Sequence, residues 1–405
     1  MIQRRSALKG MIAAPFMLAP DLVRAAEKDH ARLAISDIEL THVRVNRRGN
    51  WLLPRLKTAS GLTGLGDASH SPNDAQCIAF LKQYLDLMRG RSVFDIEWFR
   101  RAAASIRAQN GGISRLTPAV VAASGFEQCM WDLQGKALGL PAHDLFGGRI
   151  QQRIRLYANI NRSTDERSPD GFAANAQRAV DAGFDAIKLA SFDGMPRDAA
   201  DRTKREASTQ LGLDCAKAVR DVIGPGRDLL VDAHSNFGLE DGLDLAKRFE
   251  PLDLYWLEEV CPAQPLTNLA AINNAAKMPT AGGESIQGVH GFYPYIQAKA
   301  ADIVMPDVKY TGGMLELKKI AAMAEGAGLM MSPHGPASPV GNATAAHVAV
   351  TAPNFEILEF SFGEVPWRAE LVNPPERVDQ GSLILPDQPG IGYSINEKIA
   401  AKYAV

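Results

Sequence analysis

Three carboxylates recur at a regular interval in the second half of the chain. Asp232, Glu258 and Glu284 are spaced 26 residues apart, and each closes a short apolar run. A single carboxylate at such a point is commonly the N-cap of the following helix. Three carboxylates directed at one place would repel one another unless a cation lay between them. Because Mg²⁺ prefers hard oxygen ligands and retains water, the pattern predicts a magnesium site.

The same series continues with a carboxylate, an imidazole and a further carboxylate. Asp307, His334 and Glu359 close the next three apolar runs. A carboxylate beside a histidine fixes the tautomer of the ring and raises its basicity, which suits a general acid or base. The alternative for Asp307 and His334 is a structural hydrogen bond in the core. Glu359 is interpreted either as a protonated donor to a developing oxyanion or as an ordinary surface carboxylate.

A lysine precedes this series. Lys188 lies in GFDAIKLASFDG, residues 183–194, inside a strand-like run that stops at Ser191. Its ammonium either reaches the surface along an apolar stem or is directed at a reacting group. The choice depends on what the rest of the chain builds around it.

The runs that carry these residues alternate with segments of helical periodicity, such as DGLDLAKRF and LELKKIAAMAEGAG. Eight strand–helix units in succession predict an α/β fold, a (β/α)8 barrel, whose strand ends meet at one mouth. An open doubly wound sheet is the alternative, but it seldom has eight regular units over about 200 residues. The predicted strands are Ile154–Ile160, Ala186–Ala190, Leu229–His234, Leu254–Glu259, Thr280–Glu284, Asp302–Asp307, Leu329–His334 and Phe355–Phe360.

The chain before the barrel has a different pattern. Residues 35–68 alternate as strands do, and helical stretches follow over residues 74–89 and 118–138. Together they predict an α+β unit. The tail contains one strand-like segment, SLILP, which is expected to pack against that first unit. We therefore predict an α+β domain over residues 27–150, a barrel over residues 151–365, and a tail over residues 366–405 that completes the first domain.

Residues 1–26 are interpreted as an export signal. Arg4 and Arg5 precede the apolar stretch MIAAPFMLAP, and small residues follow around Ala25 and Ala26. This order is that of a secretory signal, and the paired arginines indicate the twin-arginine type, which predicts a periplasmic protein. A frayed tail with an accidental arginine pair is the alternative. A protein exported after folding forms its core in a reducing compartment, so we expect all four cysteines to be free thiols.

Composition excludes some partners. The chain has 405 residues, of which 46% are hydrophobic and 22% charged, with a formal net charge of −2. These values are those of an ordinary globular protein large enough to bury a sizeable core. The charge offers no general electrostatic reason to bind nucleic acid or an anionic membrane.

The motifs around the candidate residues resemble those of the mandelate racemase subgroup of the enolase superfamily. The resemblance covers essentially all of the chain after the signal and includes the segment AASGFEQCMWDLQGKALGLPAHDLFGG. It implies an enolase-type barrel whose mouth is capped by the α+β unit, with a specificity loop over Asn46–Leu53 that includes Trp51, and it implies a homo-oligomer. The remaining motifs are LLVDAHSNF, YWLEEVCP, TAGGES, DIVMPDVKYTGG, LMMSPHGPASPVG and FEILEF.

The resemblance also implies a first chemical step on a small carboxylate substrate. Mg²⁺ on Asp232, Glu258 and Glu284 binds the carboxylate, and a base removes the proton from the adjacent carbon to give an enediolate. Reprotonation of that species makes a racemase or an epimerase, whereas loss of a β-hydroxyl group makes a dehydratase. The metal is required because such a carbon acid is very weak.

Two positions depart from the family pattern. The subgroup typically carries Lys-x-Lys at the end of strand two, and here Lys188 is followed by Ala190, so the second, basic lysine is absent. The residue two after the first metal ligand is His234, where asparagine is common and where some acid-sugar dehydratases use a histidine for proton transfer. His234 is therefore either an acid/base or a hydrogen-bonded pocket residue, while Lys188 is expected to orient and stabilise the substrate carboxylate.

These departures favour a Mg²⁺-dependent acid-sugar dehydratase that yields a 2-keto-3-deoxy acid through His334. A racemase, an epimerase or a cycloisomerase is the alternative within the superfamily. A muconate-type cycloisomerase carries a lysine where this chain has Asp307, and Lys309 is expected to point to the other face of the strand. An exported solute-binding protein, built from two similar α/β lobes, and a catalytically inactive relative are the remaining alternatives.

Overall fold

The computed structural model describes residues 31–47, 49–110, 116–196, 198 and 201–405. The predicted signal peptide, residues 1–26, lies outside the described residues. Within those ranges the chain forms an antiparallel sheet with helices, then a closed barrel of parallel strands, then a tail that contacts both.

The N-terminal sheet contains three antiparallel strands in sequence order: β1 (Ile35–Asn46), β2 (Gly49–Thr58) and β3 (Thr63–Leu65). The segment expected to be a loop, residues 46–53, is therefore a tight β-hairpin, and Trp51 is buried within β2. The register of the ladder explains the difference from the expected loop. Val43 pairs with Trp51, so both residues lie within paired strands.

Four helices complete this cap: α1 (Asp74–Met88), α2 (Ile96–Gln109), α3 (Pro118–Leu138) and the short α4 (Ala142–Leu145). Helix α2 is absent from the sequence prediction. The long helix α3 begins at Thr117, whose hydroxyl accepts a hydrogen bond from Val120 N, and ends at Gly139 in the left-handed region.

Helix α3 fastens the cap to the barrel. Glu127 accepts hydrogen bonds from the backbone N–H groups of Met314 and Leu315, at the start of a barrel helix. Asp132, one turn further along α3, accepts from Leu65 N in the cap and from Ile391 N in the tail. One helix thus connects all three parts through buried backbone donors that would otherwise lack partners.

The barrel contains eight parallel strands, and it closes where the last strand pairs with the first. Between the seventh and eighth strands the closure is a single bridge, Met331 to Phe355. The strands are β4 (Ile154–Asn159), β5 (Ala186–Leu189), β6 (Asp228–Asp232), β7 (Trp256–Glu258), β8 (Thr280–Gly282), β9 (Ile303–Val304), β10 (Met330–Met331) and β11 (Leu358–Ser361).

Helices follow the first seven strands on the outside of the barrel. Helices α5 and α11 begin as α3 does, with a hydroxyl N-cap (Ser168 or Ser338) followed by proline. The helices are α5 (Pro169–Asp181), α6 (Arg202–Ile223), α7 (Leu239–Phe249), α8 (Leu266–Ala275), α9 (Gly288–Gln297), α10 (Met314–Gly326) and α11 (Pro339–Ala349). The eighth strand is followed by a short 3₁₀ helix, Ala369–Leu371, so the barrel is of the modified, enolase type rather than a regular eightfold repeat.

Alternation along each strand explains what reaches the barrel mouth. An inner apolar cluster contains Tyr157, Ala186, Leu230, Trp256 and Ile357. Two residues further along each strand, on the same face, stand Asn159, Lys188, Asp232, Glu258 and Glu359. The apolar layer therefore supports a layer of polar residues at the carboxyl ends of the strands.

The tail divides between the two domains. The strand β12 (Ser382–Ile384), which includes most of SLILP, pairs with the beginning of β4 in the barrel, and not with the N-terminal sheet as expected. Helix α12 (Glu397–Lys402) and the last residues do contact the cap, where Val405 N donates to His42 O. The tail thus contacts the cap at Ile391 and at its last residues, whereas the strand of SLILP pairs with the barrel.

The four cysteines, Cys77, Cys129, Cys215 and Cys261, are buried and free, which confirms the prediction of thiols. Within the described ranges, no helix is both long enough and apolar enough to cross a bilayer.

A buried histidine pair makes the fold sensitive to acid. His143 N donates to His347 Nδ1 at 3.2 Å, and the two rings stack with centroids 5.1 Å apart. Burial, with the neighbouring His143, lowers the pKa of His347 to about 3. Because the unfolded chain binds a proton near pH 6.5 and the folded chain does not, stability from this group is present above pH 6.5 and is lost as pH falls towards 3.

We therefore expect His347→Gln to flatten the acid side of the stability curve. Between pH 7 and pH 4.5 the wild type should lose about 2.5 kcal/mol more free energy of unfolding than the variant. Urea unfolding at both pH values measures the difference, with the exposed His290→Gln as a matched control. Equal pH dependence in the wild type and His347→Gln would contradict the assignment.

Candidate active site

Three carboxylates converge at the barrel mouth. Asp232 and Glu258 are paired residues at the ends of the neighbouring strands β6 and β7, and Glu284 lies two residues beyond the end of β8. One carboxylate oxygen from each residue lies within 4.8 Å of the others. The structure thus brings together the three residues that the 26-residue spacing singled out.

The donor set fits a hard divalent cation. Asp232 Oδ2 and Glu284 Oε2 are buried, and neither accepts a hydrogen bond. Asp232 is 1% exposed and Glu258 is fully buried, so water cannot offset the repulsion among the charges. Oxygen ligands with free lone pairs and no cysteine or histidine sulfur or nitrogen in the set suit Mg²⁺.

Lys188 lies inside this cluster, not at the surface. It is 1% exposed, its Nζ contacts Glu258 Oε1, and it lies 3.2 Å from Asp232 Oδ2 and 3.5 Å from Glu359 Oε1. Burial opposes the charge, but the surrounding carboxylates raise the pKa of Lys188 well above its ordinary value. The ammonium therefore partly neutralises the carboxylates from below, and the surface alternative is excluded.

Glu258 has the most enclosed carboxylate of the three. Trp256 Nε1, from the apolar layer beneath, donates to Glu258 Oε2 at 2.8 Å. Burial raises the pKa of Glu258 well above its ordinary value, and Asp232 adds to that rise, although Lys188 opposes it. Burial therefore disfavours the ionised form of Glu258, and a cation bound beside the carboxylate would stabilise that form.

The predicted His–Asp pair is present. His334 Nδ1 lies 2.8 Å from Asp307 Oδ2, so Nε2 is left to face the carboxylate cluster, 3.2 Å from Glu284 Oε2. Burial acts to lower the pKa of His334, but Glu284, Glu359 and Asp307 raise it to about 9. The pair is thus a basic imidazole held by a fully buried carboxylate.

Lys309 was expected to point away from this pair, and that expectation is wrong. Its Nζ lies 3.6 Å from Asp307 Oδ2 and donates to Pro336 O at 3.2 Å. The strand β9 ends at Val304, and beyond it the chain turns, with Lys309 N bonded to Asp307 Oδ1 at 2.7 Å. Both side chains lie on the same side, and the expectation also misapplied strand alternation, which places residues two apart on one face.

Glu359 is neither a surface carboxylate nor a protonated donor. It is fully buried, and it accepts hydrogen bonds from Asn159 Nδ2 at 2.6 Å and from Gly335 N at 2.8 Å. Burial acts to raise its pKa, but Lys188, His334 and these donors lower it to about 2. An ionised Glu359 orients its neighbours, Lys188 above all, which corrects both sequence interpretations.

A second His–Asp pair lies at the other end of the carboxylate cluster. His234 Nδ1 contacts Asp193 Oδ1, and its Nε2 lies 3.1 Å from Asp232 Oδ2. The Asp232 carboxylate raises the pKa of His234 to about 11. Asp193 also acts to raise this pKa, whereas burial acts to lower it. Arg167 Nη2 in turn contacts Asp193 Oδ2 at 2.9 Å.

Asp193 was missed by sequence reasoning. It lies in the quoted segment GFDAIKLASFDG, but as Asp-Gly after a strand it reads as an ordinary turn. The backbone at His234 has φ of 46°, in the left-handed region, which swings the ring out of the strand direction and towards that turn. No local spacing signals this contact.

Ala190 occupies the position of the missing lysine. It is 1% exposed, and its carbonyl accepts a hydrogen bond from Arg167. On the strand-two side of the site, the group that can exchange a proton is therefore the imidazole of His234. The two imidazoles contact opposite members of the triad, Asp232 and Glu284.

The cap closes the mouth with a polar cleft. Its wall is formed by the β1–β2 hairpin, by residues 69–71 and by barrel loops. The ring of Tyr310 lies between His70 and His334, with centroids 5.8 and 6.2 Å away, so the cleft leads to the His334 imidazole. Other lining residues include Asn50, Trp51, Arg162, Lys309 and Glu364.

This fold, with a carboxylate triad that could hold a metal ion, is that of an enolase-type enzyme, and sequence comparison agrees. Residues 171–399 match the model of the enolase C-terminal domain-like family, and residues 40–147 match the N-terminal domain of mandelate racemase and muconate lactonizing enzyme. The chain belongs to the mandelate racemase/muconate lactonizing enzyme family of the enolase superfamily, as its motifs indicated.

Several similar proteins are named dehydratases, which are hydro-lyases. The D-xylonate dehydratase of Haloferax volcanii is 29% identical, over 90% of this chain and 89% of its own. A D-galactarolactone cycloisomerase of Agrobacterium fabrum is also 29% identical, over 70% and 74%. A mandelate racemase/muconate lactonizing enzyme-like protein of Rubrobacter xylanophilus has a similar structure, with a TM-score of 0.85, 29% identity and coverage of 92% and 98%.

These findings remove one alternative. A solute-binding protein needs two similar α/β lobes, whereas this chain forms one closed parallel barrel with an antiparallel cap. The interpretation as an enolase-superfamily enzyme is confirmed, and what it does with its substrate follows from the arrangement of the two histidines.

Proposed function

We propose that this protein is an acid-sugar dehydratase that converts a sugar acid into a 2-keto-3-deoxy acid. The observation that carries the proposal is the pair of His–Asp dyads, His334 with Asp307 and His234 with Asp193, at opposite ends of the carboxylate triad. Dehydration needs one group to take a proton and one to give a proton, and the two dyads supply both.

His334 is assigned to the α-proton. Its Nδ1 is bonded to Asp307, so the tautomer is set and Nε2 can accept a proton within the site. Its raised pKa makes the imidazole a strong base, and the neutral form of the ring is the one that accepts the proton. Loss of the proton leaves the electron pair on the carbon skeleton, adjacent to the carboxylate.

His234 is assigned to the leaving hydroxyl group. The imidazolium is stabilised by Asp232 and Asp193, so it is poised to donate a proton from Nε2. The departing β-hydroxyl takes that proton and leaves as water while the carbon–carbon double bond forms. The resulting enol becomes the 2-keto-3-deoxy acid when C3 takes up a proton and the hydroxyl group on C2 releases one.

Asp232, Glu258 and Glu284 would hold the Mg²⁺ ion. When bound, that ion offsets the negative charge that develops on the substrate carboxylate during proton removal. On the buried side of the cluster, the Lys188 ammonium offsets part of the negative charge of Asp232 and is itself paired with Glu359.

The cleft under the cap supports a hydroxylated substrate. Its lining includes polar side chains such as Asn50 and Arg162, which bond to Asp74 and to Glu364 Oε1, while the buried Glu364 Oε2 has no partner among the described residues. A substrate hydroxyl group could donate to that oxygen, which an apolar acid would leave unpaired. The dehydratase relatives, which are named for sugar acids, support the same class.

The test is turnover of a panel of sugar acids, with D-xylonate, D-gluconate and D-galactonate among them. At least one acid should yield a 2-keto acid in the presence of Mg²⁺, and EDTA should abolish the reaction. Formation of the 2-keto acid is measured as its semicarbazone. If the well-folded protein turns over none of the panel, whether or not Mg²⁺ is present, the proposal fails and an inactive relative becomes the better interpretation.

A racemase, epimerase or cycloisomerase is the second candidate, because one relative is a cycloisomerase. We expect His234→Asn to separate the two. The variant should retain exchange of the α-proton with deuterium from the solvent, because His334 is intact, while dehydration falls about a hundredfold or more. Proton NMR of the recovered substrate in D₂O measures the exchange.

Two results would contradict these assignments. Exchange in the wild type without any loss of water would favour the second candidate, in which the α-carbon is reprotonated. Loss of exchange in His234→Asn would mean that His234, not His334, takes the α-proton. The homo-oligomer and the export to the periplasm, both expected from the sequence, are further parts of this proposal that mass measurement and cell fractionation would test.

A further inference from the structure

A second cavity lies outside the barrel mouth, between cap helix α2 and the barrel helices α9 and α10. Its volume is about 520 Å³, which is in the range of small-molecule sites. It is lined by residues of all three helices and of the loop that precedes α9. None of the lining residues belongs to either dyad or to the carboxylate triad.

Arg107 is a buried cation in the wall of this cavity. It lies in the last turn of α2 and is 7% exposed. Among the described residues, none accepts a hydrogen bond from its guanidinium or forms an ion pair with it, and Nε is fully enclosed. A buried charge without a partner is costly, and buried guanidinium groups in proteins are nearly always paired.

The neighbouring carboxylate is already engaged. Glu316, in α10, is paired with Arg100 through Oε1 and accepts a hydrogen bond from Val289 N at 2.9 Å through Oε2. Glu97, the other acidic residue of the wall, is paired with Arg100 and Lys319. Arg107 Nη1 instead faces the backbone near Gly312, where an added Cβ would lie 3.4 Å away.

A second unsatisfied group faces the same cavity. Gln287 is fully buried, and neither its Oε1 nor its Nε2 has a hydrogen-bond partner within the described structure. A carboxamide offers two donors and an acceptor, and leaving all of them unpaired costs free energy. The guanidinium and the amide are therefore two independent signs of a missing polar ligand.

We propose that this cavity binds a small hydroxylated oxyanion, through the Arg107 guanidinium and the Gln287 amide. The guanidinium fork matches the two oxygens of a carboxylate or a phosphate. The amide can donate to the anion and accept from a hydroxyl group. Three arginines line the cavity, Arg100, Arg101 and Arg107, against the two acidic residues Glu97 and Glu316, which favours an anion.

The site would communicate with the barrel mouth. Gln287 follows the triad residue Glu284 by three residues in the same loop, and Gly312 follows Asp307 by five. An anion that orders Gln287 therefore contacts the segment that positions a carboxylate of the triad. The inference does not depend on the proposed dehydration.

The test is anion binding by the full chain, measured by calorimetry and thermal unfolding in EDTA, so that no metal at the mouth contributes. The probes are inorganic phosphate and sodium gluconate, which represent the phosphate and hydroxy-acid sources. We expect at least one to bind saturably, with a dissociation constant below about 1 mM. The probe that binds more tightly identifies the source.

Arg107→Gln should weaken that binding by about tenfold or more, while the unliganded variant unfolds at the same temperature as the wild type or higher, because an unpaired buried charge is gone. Arg101→Gln, the same change at an exposed position of α2, should weaken it by less than about threefold. Gln287→Leu is the second variant, expected to weaken binding without loss of stability.

Three results would overturn the proposal. The first is that neither anion binds the wild type. The second is that Arg101→Gln and Arg107→Gln weaken binding equally, which would indicate diffuse charge. The third is that neither anion binds and Arg107→Gln changes the mass of the assembly in sedimentation, which would assign a carboxylate of a second copy to the guanidinium.

Discussion

Replacing His334 with asparagine is expected to lower kcat by about a thousandfold or more while the fold is kept. The substitution removes the only imidazole bonded to Asp307 and facing Glu284 within the described site. General acid–base groups typically contribute about 10²–10⁴-fold, and proton removal from a weak carbon acid lies at the upper end. The measurement is steady-state 2-keto acid formation from whichever sugar acid the wild type accepts, together with α-proton exchange in D₂O.

Both readouts should fall together in His334→Asn, because no other described group faces the α-proton from that side. This distinguishes it from His234→Asn, which is expected to retain exchange. Asparagine keeps a polar partner for the buried Asp307, so the thermal unfolding temperature should change little. His290→Asn, at an exposed position, is the matched control and should retain full activity. Wild-type exchange in His334→Asn would refute the assignment of the base.

Replacing Glu258 with glutamine is expected to abolish activity by a different route, through the metal site. The change keeps the shape of the side chain but removes the central charge of the triad, the one that Trp256 and Lys188 hold in place. Affinity for Mg²⁺ should fall by at least about a hundredfold, since loss of a metal ligand exceeds the usual 10–100-fold effect of an outer-shell change. Calorimetric titration with Mg²⁺ measures this directly.

The adjacent Glu259 offers a matched control. Its carboxylate is bonded to Gly283 N at 2.6 Å and to Ser235 Oγ at 2.9 Å, so it is committed to the backbone. Burial raises the pKa of Glu259 to about 7, which makes glutamine a close mimic of its neutral form. Glu259→Gln should therefore bind Mg²⁺ within about tenfold of the wild type. Equal losses in Glu258→Gln and Glu259→Gln would mean that general charge, and not ligation, controls metal binding.

The two variants also separate stability from function. Glu258→Gln leaves Lys188 with Asp232 and Glu359 as partners, so the buried ammonium is not stranded. We expect the unfolding temperature in EDTA to be close to that of the wild type. The stabilisation that Mg²⁺ confers on the wild type should be absent from the variant, because a ligand stabilises only the state that binds it.

Much of the fold and of the metal site could be predicted because both depend on short-range regularities. The βα repeat places each strand end at one mouth, and alternation along the strand decides which residues face inward. The spacing of Asp232, Glu258 and Glu284 therefore specified a cluster before any contact was known. The same logic located His334 beside Asp307.

The predictions from sequence failed for segments that lie outside the eight barrel strands. Lys309 lies in a turn after β9, and its expected direction was wrong because residues two apart in a strand share a face. Helix α2 was missed although its buried residues Ile96, Phe99 and Ala103 recur at helical spacing, and Asn46 and residues 49–53, expected in a loop, belong to paired strands. The position of the strand β12 was predicted wrongly because its partner, β4, is more than 200 residues away in sequence, and pairing over that distance leaves no local trace.

By itself, therefore, the sequence determined which charges meet at the mouth of the barrel. Only the tertiary structure decided what those charges do to one another. Contacts between distant segments made Lys188 a counter-charge that, with His334, keeps Glu359 ionised despite burial, and a left-handed turn at His234 brought that imidazole to Asp193. Periodicity sets the direction of a side chain relative to its own strand, whereas desolvation and contacts between loops depend on how distant segments close around it.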